Sequence, residues 1–211
     1  MTTEKSEETL NQKIAHSMVK MAEIIKKTAD KIGEGSELKE MINSIMKVYK
    51  TQNRVFTMGA GRSGLVGQAF AMRLVHLGFN AHVIGDATTP AVTSEDIILV
   101  ISGSGTTATN LTLCQIVLER IKPSPKIIAI TSNCSSTLGR LADITIEIPG
   151  REETEITTNY AERRLVAGPP LAPLGTRFEI NALVFLDSII SVLMDLTKTN
   201  ETEMARRHAI E

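Results

Sequence analysis

The 211-residue chain is 42% hydrophobic, carries a formal net charge of -1 and has 3% aromatic residues with no Trp. That size accommodates one well-buried core, while the balanced charge and the scarcity of aromatic rings argue against a nucleic-acid binder. The polar, acidic start Met1-Thr2-Thr3-Glu4-Lys5-Ser6-Glu7-Glu8 is unlike a secretory leader, so the expectation is a soluble, cytoplasmic protein without a membrane partner.

Leu10, Ile14, Met18, Met21 and Ile25 recur every three or four positions and lay one apolar stripe along a helix running to about Lys31. The opposite face, with Lys13, Lys20 and Lys27, reads as solvated. Gly33 and Gly35 end this helix, and Ser36 is placed to cap a second one over residues 37–49. Its stripe of Leu38, Met41, Ile42, Ile45 and Met46 suggests that the helical pair packs on a sheet or on another subunit.

From Arg54 onward strands are expected over 54–58, 81–84, 97–101, 126–130 and 144–148, with helices over 63–78, 107–121 and 135–142. Short apolar strands alternating with helices imply a parallel sheet covered on both faces, a three-layer α/β/α fold of the flavodoxin-like kind. Residues 150–175 break the rhythm with charges and with Gly168, Pro169, Pro170 and Pro173, and read as a long loop. A strongly apolar helix is expected over 178–197. Its most apolar run, 182–196, is interrupted by Asp187 and Asp195 and is too short to span a bilayer. A short charged tail from Glu201 follows. One domain is therefore expected over 1–211: helices to 50, the sheet core over 51–150, the loop over 151–175, then the C-terminal helix and tail.

Cys114 and Cys134 have no CxxC partner or neighbouring His and read as buried, small apolar residues. His16, His76 and His82 show no metal-ligand spacing, so no metal and no cofactor is expected.

Two glycine loops carry the chemistry. Met58-Gly59-Ala60-Gly61-Arg62-Ser63-Gly64 and Ser102-Gly103-Ser104-Gly105-Thr106-Thr107 each follow an expected strand and open an expected helix. Glycine lets the backbone turn sharply and approach a ligand. The helix start behind it offers unpaired N–H groups and the positive end of a dipole, which favour an anion. A single cap needs one hydroxyl, whereas the second loop has four in six residues, the pattern of an anion nest. Both loops lie at the carboxyl edge of the expected sheet, where such folds bind ligands. A phosphorylated small molecule held between them is the reading.

Gly59, Gly61 and Gly64 also match the dinucleotide pattern G-x-G-x-x-G, with Asp86 about where a ribose-binding acid would be sought. Against that, Arg62 and Ser63 fill the loop with phosphate-type donors, Asp86 falls beyond the second strand, and five strands leave no second mononucleotide half.

The two loops resemble the phosphate-binding loops of the SIS (sugar isomerase) domain family. Longer stretches are similar to the 6-phospho-3-hexuloisomerase branch of that family: Ala71-Met72-Arg73-Leu74, His76-Leu77-Gly78-Phe79, Thr88-Thr89-Pro90, Pro173-Leu174-Gly175-Thr176-Arg177-Phe178-Glu179 and Arg207-His208-Ala209. Residues 150–171 are longer than the family pattern. The resemblance implies a five-stranded parallel sheet and interconversion of 3-hexulose 6-phosphate with fructose 6-phosphate. It also implies a homo-oligomer, commonly a tetramer, and a functional partner, 3-hexulose-6-phosphate synthase, in formaldehyde fixation or ribulose-phosphate supply (the ribulose monophosphate pathway).

In that frame Ser63, Ser102, Ser104 and Thr107 hold the phosphate, with weaker contributions from Gly61, Arg62, Thr106 and Arg177. Moving a carbonyl between C2 and C3 needs a base that removes a proton from one carbon and returns it to the next, and a partly buried carboxylate suits this. Glu179 is the candidate, with Arg177 beside it to pair with it or with the phosphate. His208 is the candidate to open the sugar ring or shuttle an oxygen-bound proton, reaching into a neighbouring subunit's site. The alternative is a non-catalytic phosphosugar-binding regulator. Such proteins usually carry a DNA-binding module, and the roughly fifty residues before the sheet show no basic helix-turn-helix pattern.

Overall fold

The structure, a computed structural model, describes residues 9–32, 35–150 and 176–208. The expected loop over 151–175 lies outside them. In chain order the elements are α1 (Leu10–Ile32), α2 (Ser36–Thr51), β1 (Arg54–Gly59), α3 (Arg62–His76), β2 (Asn80–Val83), β3 (Ile97–Ile101), α4 (Ala108–Arg120), β4 (Lys126–Thr131), α5 (Thr137–Leu141), β5 (Ile144–Glu147), α6 (Thr176–Thr197) and α7 (Glu201–Arg206).

The five strands form one parallel sheet in the order β2-β1-β3-β4-β5. Alternation along the strands divides the core into two layers. Val55, Ile97, Leu99, Ile101, Ile128 and Ile130 face one side with Val66, Phe70 and Leu74 of α3 and Ala182, Phe185, Leu186 and Ile189 of α6. Phe56, Met58, Ile98, Val100, Ile127 and Ala129 face the other with Cys114 of α4 and Leu138 of α5. A residue step of one therefore moves a side chain from one helical layer to the other, which is the expected three-layer α/β/α fold. β1 leads into α3 on one face and β3 into α4 on the opposite face, so the crevice between the carboxyl ends of β1 and β3 is the topological switch point.

Several local expectations are corrected. Gly35, not Ser36, occupies the N-cap of α2, and Ser36 is its first helical residue. Cys114 is buried, but Cys134 is exposed. Burial pushes the Cys114 thiol up to about 11; desolvation and Glu147 push Cys134 to about 12, so both stay protonated thiols. The tail contains a helix, α7, started by a reciprocal box in which the Glu203 N–H donates to Asn200 Oδ1 at 2.9 Å and the Asn200 N–H to Glu203 Oε2 at 3.1 Å. The last long helix spans 22 residues, enough by length and composition to cross a membrane. Its buried row, from Phe178 through Ala182, Phe185 and Ile189 to Leu193, marks it instead as a core helix packed on the sheet. In contrast, α1 buries just Thr28 among its residues and leaves Leu10, Ile14 and Met18 exposed.

Candidate active site

Parallel pairing brings the two glycine loops together. Gly59 at the end of β1 lies in register with Ile101 at the end of β3, so Ala60 and Ser102 leave the sheet side by side. The first loop is tight. A Cβ at Gly59 would lie 2.7 Å from the backbone carbon of Ser63, too close for any other residue. Gly61, with φ +56°, is the N-cap of α3 and offers no capping side chain, so Arg62 and Ser63 open the helix with free-standing N–H groups.

The second loop is tied to the neighbouring strand. The Gly103 carbonyl accepts from the Ser132 N–H at 3.1 Å and Ser132 Oγ at 2.6 Å, and the Gly105 carbonyl from the Leu138 N–H at 2.9 Å. In a trans peptide the following N–H points the opposite way. Committing these carbonyls to the β4–α5 side therefore turns the Ser104 N–H away from it. Gly105 has φ +62°, and a Cβ there would meet Ser136 Oγ at 1.9 Å, so this turn needs glycine. Ser102 is buried and its hydroxyl shares a 3.1 Å hydrogen bond with that of Thr107, the N-cap of α4. Ser104 and Thr106 are exposed, the Ser104 hydroxyl accepting from the Thr106 N–H at 3.3 Å. Ser63 lies at the edge of burial, 9% exposed.

α6 completes the site because Phe178 seats its first turn on the second loop. Cβ atoms at Gly103 and Gly150 would lie 3.0 Å from the Phe178 ring and 2.8 Å from its Cβ, so the two glycines form its bed. That placement carries Glu179 to Arg62, whose Nε donates to Glu179 Oε2 at 2.9 Å. Glu179 is 13% exposed and Arg62 59%. Arg177 lies in the same turn of α6, half-buried. The structure thus brings together Gly61, Arg62, Ser63, the Ser102–Thr107 loop and Glu179. Positive helix starts from α3 and α4, with one carboxylate beside them, can hold a phosphoryl group and present a carbon acid to a base.

His208 is elsewhere. Its ring packs on that of His76, with centroids 4.8 Å apart, at the opposite end of α3 from Arg62. Fourteen helical steps separate these ends, about 21 Å at the usual rise. Neighbouring Arg207 donates from Nη1 to the His76 carbonyl at 3.1 Å. Burial, then His208 and Arg73, hold His76 below its ordinary value of 6.5. Among the described residues no cluster of three or more His, Cys, Asp or Glu is placed to hold a metal.

Two features escape the sequence reading. The partner of Glu179 is Arg62, 117 positions earlier, a pairing that exists only once α6 folds over the loops. Asn110, in the first turn of α4, is buried with no partner for Nδ2 among the described residues. No motif marked it.

Residues 48–163 match the SIS domain family. The chain is similar to the 3-hexulose-6-phosphate isomerase of Methanocaldococcus jannaschii, with 34% identity over 173 residues that cover 82% of this chain and 83% of the relative. It is also similar to the enzyme of the same name from Mycobacterium gastri, at 36% over 174 residues, 81% of this chain and 79% of the relative. A solved Methanococcus jannaschii protein, whose structure was taken to imply 3-hexulose-6-phosphate isomerase function, superposes with a TM-score of 0.71 at 31% identity, covering 93% of this chain and 98% of that one. The chain belongs to the SIS domain family, in the group that contains the 3-hexulose-6-phosphate isomerases.

Proposed function

We propose that the protein interconverts 3-hexulose 6-phosphate (D-arabino-hex-3-ulose 6-phosphate) and fructose 6-phosphate. The observation that carries this reading is the placement of Glu179 beside Arg62 at the mouth of both glycine loops; the names of relatives at 34–36% identity support the substrate. In this reading the phosphoryl group lies on the N–H groups of the two loops, with the hydroxyls of Ser63, Ser102, Ser104 and Thr107 around it and Gly61, Arg62, Thr106 and Arg177 at the rim. Glu179 takes the proton from C2. The C–H electron pair becomes the C2=C3 bond and negative charge moves to O3, where the positive ends of the two helix dipoles lower its cost. A proton passes between O2 and O3, the enediolate collapses to a carbonyl at C2, and Glu179 returns its proton to C3.

His208 performs the oxygen-to-oxygen transfer in the site of a neighbouring subunit, since its own Glu179 stands beyond reach at the other end of α3. This requires a homo-oligomer, and a tetramer is the proposed form. Its apolar contacts are supported by the exposed Leu10, Ile14 and Met18 of α1 and by a groove of about 720 Å³ that Leu65, Met72 and Val75 line beside β2. A cytoplasmic setting and a synthase that supplies the 3-hexulose 6-phosphate complete the proposal.

Incubation with 3-hexulose 6-phosphate in deuterated water tests it. The expected product is fructose 6-phosphate with deuterium at C3, in proportion to how far the proton on Glu179 exchanges with solvent. Tight binding without any product would point to the regulator instead.

A further inference from the structure

Arg62 faces two anions. It is the first residue of α3, directly behind the N-cap Gly61, so its guanidinium belongs to the phosphoryl-binding loop. Yet its Nε is engaged by Glu179, the carboxylate that the proposed reaction needs unencumbered. The contact is a single-donor pair whose arginine is more than half exposed, a kind that contributes little. A phosphoryl dianion accepts the whole planar fork of the guanidinium and is the stronger partner.

We propose that Arg62 is a two-position switch: it clasps Glu179 in the unliganded enzyme and passes to the substrate's phosphoryl group on binding, so that the phosphate itself uncovers the base. Arg62 is then a specificity-determining residue as well as a phosphate ligand. A ketose of the same stereochemistry without a phosphoryl group leaves the clasp closed and meets a carboxylate whose oxygen is already occupied. Discrimination for phosphorylated sugars thus falls on the availability of the base in addition to affinity. This inference rests on the isomerase reading for the role of Glu179, but the hand-over itself can be observed without turnover.

The test uses inorganic phosphate as the probe on the full chain and on Glu179→Gln, with thermal unfolding to confirm that both fold alike. Calorimetry is expected to give about threefold tighter phosphate binding in Glu179→Gln, because Arg62 starts unclasped. The Arg62 side-chain Nε–H resonance, followed by NMR, is expected to differ between the two proteins without phosphate and to converge at saturation. Unchanged or weaker phosphate binding in the variant overturns the hand-over. So does a resonance difference that persists at saturation, which would mean that the clasp survives and that any tighter binding reflects removal of carboxylate–phosphate repulsion. If convergence is seen but the deuterium experiment yields no fructose 6-phosphate, the switch stands and the isomerase assignment falls. Turnover without convergence has the reverse meaning.

Discussion

β1 and β3 have an arginine–carboxylate pair at each end, and the two pairs are built differently. At the amino ends, Asp96 is 1% exposed and saturated with donors. The Arg54 N–H at 2.9 Å and Nε at 3.2 Å reach Oδ1, while the Thr93 N–H at 2.7 Å and hydroxyl at 2.9 Å reach Oδ2. A further contact of 3.0 Å from Arg54 Nη2 to Oδ2 completes the clip. At the carboxyl ends, Arg62 and Glu179 share one hydrogen bond and Arg62 is open to water. The first pair is a fixed clip between two strand starts. The second is loose enough to be exchanged for a ligand. Similar ions serve structure where burial and donors saturate them and, in the proposed reading, chemistry where they are left short of partners.

Replacing Glu179 is the strongest way to break this contrast. Glu179→Gln is expected to lower kcat for 3-hexulose 6-phosphate by about 10³-fold, the scale of a lost general base, while the melting temperature stays that of the parent. Near-normal turnover would remove Glu179 from the chemistry. At the other end Asp96→Ala is expected to cost about 3 kcal/mol of folding free energy, the low end for a broken buried pair because Arg54 keeps partial solvent access. Activity per folded molecule should be retained. The variant also reads the pH sign. Burial alone would raise the Asp96 carboxyl, but donors from Thr93 and Arg54 outweigh it and hold the group below its ordinary 3.8. Its stabilisation is therefore complete above that value and lost as pH falls below it. Acid unfolding curves should show parent and variant converging below pH 3.8, and a constant gap down to pH 2 would contradict the clip.

The same contrast explains what the sequence disclosed. Periodicity and glycine punctuation expose the sheet: the expected bounds 97–101 coincide with β3 and the other strands agree to within a residue, because the inner strands β1, β3 and β4 are buried along most of their length and are written as mostly apolar runs. The glycine loops were legible because glycine and hydroxyl residues have local reasons to cluster. The Arg62–Glu179 pair was not, since it joins elements 117 positions apart through the seating of Phe178 on Gly103 and Gly150. α7 goes unrecognised because, of its six residues, Met204 and Ala205 alone are apolar, too few to show a stripe. Ser36 looked like a cap by residue type, yet Gly35 already has the extended φ of -108° that a cap position needs.

The smallest expected effect belongs to the carboxyl end of α3, where His76 lies under His208. Burial first, then the neighbouring His208 and Arg73, favour the neutral imidazole in the fold, whereas in the unfolded chain it takes up a proton near 6.5. A folded value below the unfolded one means that stability is whole above pH 6.5 and declines as pH falls through the window beneath it, where the unfolded state binds the extra proton. His76→Phe keeps a ring against His208 and keeps the backbone carbonyl that Arg207 uses, but cannot titrate. Urea unfolding of the two proteins should therefore give curves that run parallel at pH 7.5 and separate below pH 6.5, with the parent losing stability faster. Parallel curves down to pH 5 would mean that the ring stays accessible to protons in the fold. The contrast would then lie between one buried clip and two solvated ends, rather than between a structural end and a reactive one.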